Sequence, residues 1–292
     1  MTGRRLRRAI EAAAAALARS GVDSARTDAE LLAAHLTGID RGRLAFADDP
    51  DDGFFEAFEV AVTSRARRVP LQHITGIAAF GPLSLHVGPG VFIPRPETEA
   101  ILEWAAGQNL PERAVIVDVC TGSGALAAAL SRRYPDARII AVDDDPVALG
   151  YARRNTAQTA VEVLGGDATD PQLLAELDGT VDLVVSNPPY IPLGAELEPG
   201  AELEPEVSEH DPAHALFGGP DGMAVIRPIV ARAARWLRGG GLLAVEHDDT
   251  TAELTVETIC AAAAFDDVRS RTDLAGRPRF VTARKDQRRQ AK

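Results

Sequence analysis

Val181-Asp182-Leu183-Val184-Val185-Ser186-Asn187-Pro188-Pro189-Tyr190 joins an apolar, β-branched run to a turn built on two consecutive prolines. The run reads as a strand. The prolines lock the backbone, so their carbonyls are held in place. Asn187 adds a side-chain carbonyl acceptor, and Tyr190 a ring face for a planar group. Working outward, comparable runs lie at 114–119, 138–142, 161–164 and 242–246, with helical segments between them. Strands alternating with helices predict an α/β fold, a mostly parallel sheet covered on both faces. In such sheets ligands bind beyond the carboxyl ends of the strands, which is where Asn187 to Tyr190 falls. Two late runs, 267–271 and 279–283, predict an antiparallel strand pair.

Upstream, residues 1–70 read as helices. Leu6, Ile10, Ala13 and Leu17 fall at helical spacing, and Gly21 ends that helix. Ser24 is a candidate N-cap for the next, with Thr27 and Glu30 as a capping-box alternative. Leu31, Leu32, His35 and Leu36 follow, and Gly38 closes it. Phe54, Phe55, Phe58 and Val62 mark a third amphipathic stretch, ended by Pro70. Residues 71–95 form a linker in which 74–80 and 83–87 are expected to pair as a β-hairpin turned at Gly81-Pro82. The linker leads into Pro94-Arg95-Pro96-Glu97-Thr98-Glu99, a stiff connector. Residues 96–285 form the α/β domain, within which 193–209, rich in Glu, Pro and Gly, is expected to be a loop. The charged residues 286–292 are expected to be a disordered tail.

Composition narrows the function. The chain has 292 residues, 46% apolar and 25% charged, enough for a sizeable core. No apolar run approaches the roughly 18–20 residues that span a bilayer. The arginines before the alanine run 12–16 mimic a signal peptide, but Glu11 and Arg19 interrupt the pattern, so the chain is expected to be cytoplasmic. Cys120 and Cys260 lie in no CxxC or Cys/His cluster, which argues against a metal site. A formal charge of −12 opposes sequence-independent binding to long nucleic acid.

Three further motifs sit at strand ends. Asp118-Val119-Cys120-Thr121-Gly122-Ser123-Gly124 follows the first strand and opens a helix. Its glycines let backbone approach a ligand closely. It lacks the full dinucleotide pattern and a P-loop lysine, and its acid disfavours phosphate but suits a cationic amine or sulfonium. An ordinary tight strand–helix turn would look the same on this segment alone. Asp143 ends the next strand about 20 residues on, where an acid can accept from ribose hydroxyls. Asp144 or Asp145 would instead cap the following helix. After the third strand, Asp167-Ala168 can meet an adenine edge, although Asp167 alone reads as a turn residue.

These parts suit transfer to a planar nitrogen. An amide or adenine nitrogen has a delocalised lone pair and two N–H groups. Asn187 Oδ1 and the Pro188 carbonyl can each accept one, orienting the nitrogen toward a sulfonium methyl. Rate enhancement then comes from positioning and preorganised dipoles, and the proton leaves after the nitrogen becomes cationic. No histidine pair is needed, so His73, His86, His210 and His214 are read as structural or surface residues.

Taken together, the residues resemble the protein-(glutamine-N5) methyltransferases, the HemK family that modifies peptide chain release factors. The resemblance spans nearly the whole chain. It rests on Pro70-Leu71-Gln72-His73-Ile74-Thr75-Gly76, Ile93-Pro94-Arg95-Pro96-Glu97-Thr98-Glu99, Val184 to Ile191, Ala215-Leu216-Phe217-Gly218-Gly219-Pro220-Asp221-Gly222 and Asp273-Leu274-Ala275-Gly276-Arg277. It implies a class I methyltransferase fold, a Rossmann-like seven-stranded sheet, with a small helical N-terminal domain for substrate recognition and a linking hairpin. It implies S-adenosylmethionine bound at Asp118, Cys120 to Gly124, Asp143, Asp167, Ala168 and Asn187. It implies the substrate glutamine of class I release factors at Asn187, Pro188, Pro189 and Tyr190, with Asn187, Pro188 and Tyr190 catalytic. The expected state is a monomer acting without membrane or nucleic acid. Two departures stand out. Cys120 replaces a glycine, which predicts a backbone there that is not strictly at positive φ or is slightly distorted. Glu246-His247-Asp248-Asp249 replaces a glycine-bearing turn. The rivals are an adenine-N6 nucleic-acid methyltransferase, which would have to flip a base, and an inactive cofactor-binding scaffold.

Overall fold

A computed structural model describes residues 3–194, 203–273 and 275–287. The chain divides into two compact units: one holds the residues up to Ile77 together with Glu204–His210, the other Ala78–Leu203 and the residues from Asp211 onward.

The first unit packs α1 (Arg4–Arg19), α2 (Ala25–Thr37) and α3 (Asp52–Ala66). α1 buries Leu6, Ile10, Ala13 and Leu17, the four residues its spacing selects. Ser24 stands at the N-cap of α2 but donates its hydroxyl to Asp28 instead of capping. Gly38 ends α2 in the left-handed region. Asp51 caps α3 by accepting from Phe54 N at 3.0 Å. Asp28 and Arg65 form a buried ion pair at 2.7 Å, and Arg65 also reaches Glu206 at 2.7 Å. Glu206 lies on α8 (Pro205–His210), where a loop was expected; 193–194 and 203–204 lie in no helix or strand, as expected, whereas 195–202 lie outside the described residues, as do 288–292 of the expected tail. Arg68 holds Glu206 too, and these two arginines account for a helix that local sequence does not announce. Residues 74–75 depart from expectation as well. They close α4 (Leu71–Thr75), a single helical turn opened by Pro70, which satisfies Ile74 N with its own carbonyl. The hairpin strands are therefore β1 (Ile77–Phe80) and β2 (Leu83–His86).

In the second unit the strands β3 (Val115–Val119), β4 (Arg138–Asp143), β5 (Glu162–Gly165), β6 (Val181–Ser186), β7 (Leu237–Glu246), β8 (Phe265–Thr272) and β9 (Pro278–Lys285) form one sheet. Its order is β5-β4-β3-β6-β7-β9-β8; the first five are parallel, and β9 pairs antiparallel with both β7 and β8. The period-two alternation of each strand divides the core. Ile116, Leu183 and Val185 face α5 (Glu99–Ala106) and α6 (Ala125–Arg133). Val117, Val119 and Val184 face α10 (Ile226–Trp236) and α11 (Ala252–Ala261), where Trp236 is fully buried. Each such large apolar side chain contributes ~1.5–3 kcal/mol on burial. The hairpin is tied to the sheet domain by Asn155 on α7 (Pro146–Thr156). Its amide exchanges hydrogen bonds with His86 N and O at 2.7 and 2.9 Å and donates to Ser123 O at 2.9 Å. Among the described residues no helix is long and apolar enough to cross a membrane, and no group of His, Cys, Asp and Glu could hold a metal ion.

Candidate active site

Val119 pairs with Val142 on one side and Ser186 on the other. Cys120, Asp143 and Asn187 therefore leave three adjacent strands at the same edge. This edge is the switch point, because the chain crosses from β3 to β4 on one side and places β6 on the other.

The turn after β3 is built from left-handed residues: Cys120 at φ 58, Gly122 at φ 56 and Gly124 at φ 81. Cys120 thus adopts the left-handed conformation that favours glycine, against the reading that its backbone leaves strictly positive φ. Its β-carbon is forced into the left-handed region at a cost of roughly 1–2 kcal/mol. Packing secures it, since the side chain lies against the core beside Ser186, whose hydroxyl donates to Val119 O at 2.7 Å. Burial first, then Asp143, Asp144 and Asp118, pushes the thiol pKa up, so Cys120 is no nucleophile. Gly124 admits α7, because a β-carbon there would lie 3.1 Å from Ala152 Cα, whereas beside Gly122 there is open space.

The acids divide the work. Asp118 is 1% exposed; its Oδ2 accepts from Thr121 Oγ1 at 2.5 Å and Ala127 N at 3.1 Å. It sits behind the turn and braces it. Its Oδ1 is buried with no hydrogen-bond partner, and burial pushes the carboxyl up to about 7. Asp143, half-buried, accepts from Gly122 N at 2.8 Å through Oδ2 and from Asp145 N at 3.0 Å through Oδ1. Asp145 caps α7 through Val147 N and Ala148 N and pairs with His214, while Asp144 is exposed. Asp143 is therefore the acid bound to the glycine turn. Asp167 is exposed and closes its own turn onto Thr169 N at 2.7 Å; Ala168 beside it is buried. A buried orphan acceptor, a second half-buried acid and open space at Gly122 fit a ligand that carries hydroxyl donors and positive charge.

Asn187 and Tyr190 hang on residues that the sequence did not single out. Asn187 Nδ2 donates to Thr98 Oγ1 at 2.9 Å, and the Tyr190 phenol donates to Glu246 Oε1 at 3.1 Å. Thr98 and Glu246 are 4% and 1% exposed. Burial pushes the Glu246 carboxyl up to about 7, against the neighbouring Thr98 hydroxyl, the hydrogen bond from Tyr190 and the charge of Arg279. Pro188 is buried. Tyr190 N and Ile191 N both donate to Leu216 O, and Gly218 N donates to Ile191 O. A β-carbon at Gly218 would come within 2.6 Å of the Pro189 carbonyl, so this glycine lets 215–222 pack on the proline turn. The only signal for Thr98 was its place in the proline-bracketed connector, and for Glu246 its place at the end of an apolar run.

This strand order, with its ligand turn after the first strand of the sheet and a proline turn after the fourth, defines a class I methyltransferase, a fold built around S-adenosylmethionine. A methyltransferase from Pyrococcus furiosus shares the fold at TM-score 0.51 and 17% identity, over 71% of this chain and 91% of that one. The Methyltransferase small domain family matches residues 99–197, and the PrmC N-terminal domain family matches residues 8–76. The chain is 68% identical to the release factor glutamine methyltransferase of Mycolicibacterium smegmatis, over 96% of this chain and 97% of that one. It is 62% identical to that of Mycobacterium tuberculosis (strain H37Rv), over 95% and 91%, and 47% identical to that of Streptomyces coelicolor, over 92% and 94%. The chain belongs to the release factor glutamine methyltransferase family.

Proposed function

We propose that this protein methylates the side-chain amide nitrogen of a glutamine in peptide chain release factors. The observation that carries this reading is the orientation of Asn187. Its NH2 end is taken by Thr98, so its carbonyl oxygen is the end left to accept an N–H from a substrate amide. Pro188, rigid and buried, supplies a second carbonyl for the other N–H, and Tyr190 a ring edge braced by Glu246. Two acceptors on two N–H groups orient the nitrogen lone pair and favour a pyramidal centre. S-adenosylmethionine supplies a methyl group on a cationic sulfur when bound. Asp143 would accept from its ribose hydroxyls, the amides of the Thr121–Gly124 turn would line its path and Asp167-Ala168 would border the adenine, while Asp118 holds that turn in shape. The nitrogen gains a carbon, becomes cationic and releases one proton to water, so no buried base is required.

The finer reading assigns the glutamine to the Gly-Gly-Gln loop of class I factors and the helical residues 1–70 to holding the factor. Residues 71–95 would be the linker and 96–285 the transfer domain, in a cytoplasmic monomer that needs no nucleic acid. A free glutamine offers too little surface to fix its amide, whereas a factor body supplies remote binding energy. The charge of −12 disfavours the adenine-N6 alternative, which must hold a nucleic-acid strand. Peptide mapping of a release factor after reaction with labelled cofactor tests the assignment: label is expected on that glutamine alone. Label elsewhere, equal labelling of a Gln→Ala factor, or preferential labelling of DNA would overturn it.

A further inference from the structure

We propose that Thr98 and Glu246 are positioning residues for the transfer: Thr98 fixes which end of the Asn187 amide faces the reacting nitrogen, and Glu246 fixes the Tyr190 phenol. This inference rests on the reading above, in which that nitrogen belongs to a substrate amide. A threonine hydroxyl both donates and accepts. Left alone, Thr98 could hold Asn187 either way round: by accepting from its NH2, or by donating to its carbonyl oxygen. The second arrangement would aim two N–H donors at the N–H donors of the substrate and remove the acceptor that transfer needs. Thr98, beside the Glu246 carboxyl, accepts from Asn187 Nδ2 at 2.9 Å, which leaves the Asn187 carbonyl oxygen for the substrate. The same carboxyl takes the Tyr190 phenol at 3.1 Å. Both ends of the Asn187–Tyr190 turn are thus fixed by buried side chains, Thr98 before α5 and Glu246 at the end of β7.

Stability does not account for this arrangement. A buried carboxyl with one oxygen unpartnered, as Glu246 Oε2 is, destabilises a core relative to an apolar side chain of the same size. Nor do Thr98 and Glu246 touch substrate, since both are almost fully buried. They act through Asn187 and Tyr190. This also gives a role to the proline-bracketed connector, which the transfer chemistry by itself leaves unused: it delivers Thr98 to the floor of the site.

The test uses the full chain, S-adenosylmethionine and a release factor in single-turnover reactions. Thr98→Val keeps the shape and removes the hydroxyl, Thr98→Ser keeps the hydroxyl, and Glu246→Gln offers the Tyr190 phenol either a donor or an acceptor. Thr98→Val and Glu246→Gln are expected to slow transfer by about tenfold or more. Their cofactor affinity is expected to stay within about twofold, and Thr98→Ser to stay within about threefold of the parent rate. Thr98→Val transferring at the parent rate would overturn the proposal. So would losses of rate matched by equal losses of cofactor affinity, the mark of a merely structural role. Should Glu246→Gln not fold, the Thr98→Val and Thr98→Ser pair decides alone. A parent protein that leaves release-factor glutamine unlabelled refutes the functional reading; a labelling parent with an equally fast Thr98→Val refutes only this one.

Discussion

Each carboxylate oxygen of Asp143 already accepts one backbone N–H, from Gly122 and from Asp145, and each keeps a lone pair for a ribose hydroxyl. On the proposed reading the residue ties the glycine turn to the nucleoside of the cofactor. Asp143→Ala is expected to weaken cofactor binding by on the order of 2–4 kcal/mol through two lost charge-assisted hydrogen bonds. Titration calorimetry checks this, and unchanged affinity would move the role to Asp144. Asn187→Ala is expected to slow transfer roughly 100-fold or more with most cofactor affinity retained; a near-parental single-turnover rate would make the motif structural. At this scale the sequence was informative where a residue's role follows from its place on a strand. Asp143 directly follows an apolar run, and that alone separated it from its acidic neighbours. It was uninformative where the role depends on a partner far along the chain. Thr98 and Asn187 are brought together only by the fold. Cys120 misled for a related reason: a side chain in place of glycine does not reveal whether the backbone relaxes or the side chain tolerates the left-handed conformation.

Among the elements, the strands of the sheet were legible because two-sided burial writes continuous apolar runs into them. Val181–Ser186 was placed to the residue, and the late antiparallel pair was foreseen in its position and direction. The elements that escaped are short and held from outside. Residues 74–75 carry strand-like side chains, yet Pro70 starts a helical turn there. Pro205–His210 is acidic and polar, and is fixed by Arg65 and Arg68. That cluster makes a prediction for the helical unit. Arg65 is buried between Asp28 and Glu206, and Arg65 and Arg68 hold the Glu206 carboxyl down at about 2 against its burial. Arg65→Met removes the cation and leaves a buried carboxylate behind, which is expected to cost about 3–5 kcal/mol. Denaturant unfolding followed on the full chain should show an early transition. A midpoint equal to the parent's would mean that the ion pair contributes nothing net.

Across the whole molecule, the two carboxyls that organise the site, Asp118 behind the cofactor turn and Glu246 behind the proline turn, are both buried and both pushed up to about 7. In the unfolded chain they would ionise near 3.8 and 4.5. A folded pKa above the unfolded one means that the native state binds more protons between those values, so stability falls as pH rises from about 4 through about 7. Glu246 is faced by Thr98 and Glu97 from before α5, Tyr190 from after β6 and Arg279 from β9; Asp118 is faced by Thr121, Ala127 and Asp143. His247, held below its ordinary value by burial, works in the opposite direction but is a single group. Exposed carboxylates are already ionised above pH 5.5 and contribute little slope. The ligand-free protein is therefore expected to melt at a lower temperature at pH 8 than at pH 5.5. Asp118→Asn should flatten the profile by removing one of the two groups. Saturating S-adenosylmethionine, which on the proposed reading would bring positive charge to the Asp118 side of the site, should also reduce the drop, because a nearby cation favours the ionised carboxyl. Thermal melts at four pH values, with and without cofactor, check the three statements together. A melting temperature that rises steadily from pH 5.5 to 8 would show that these acids are ionised in the fold without penalty. The destabilised core would then no longer distinguish the two catalytic turns from the rest of the sheet.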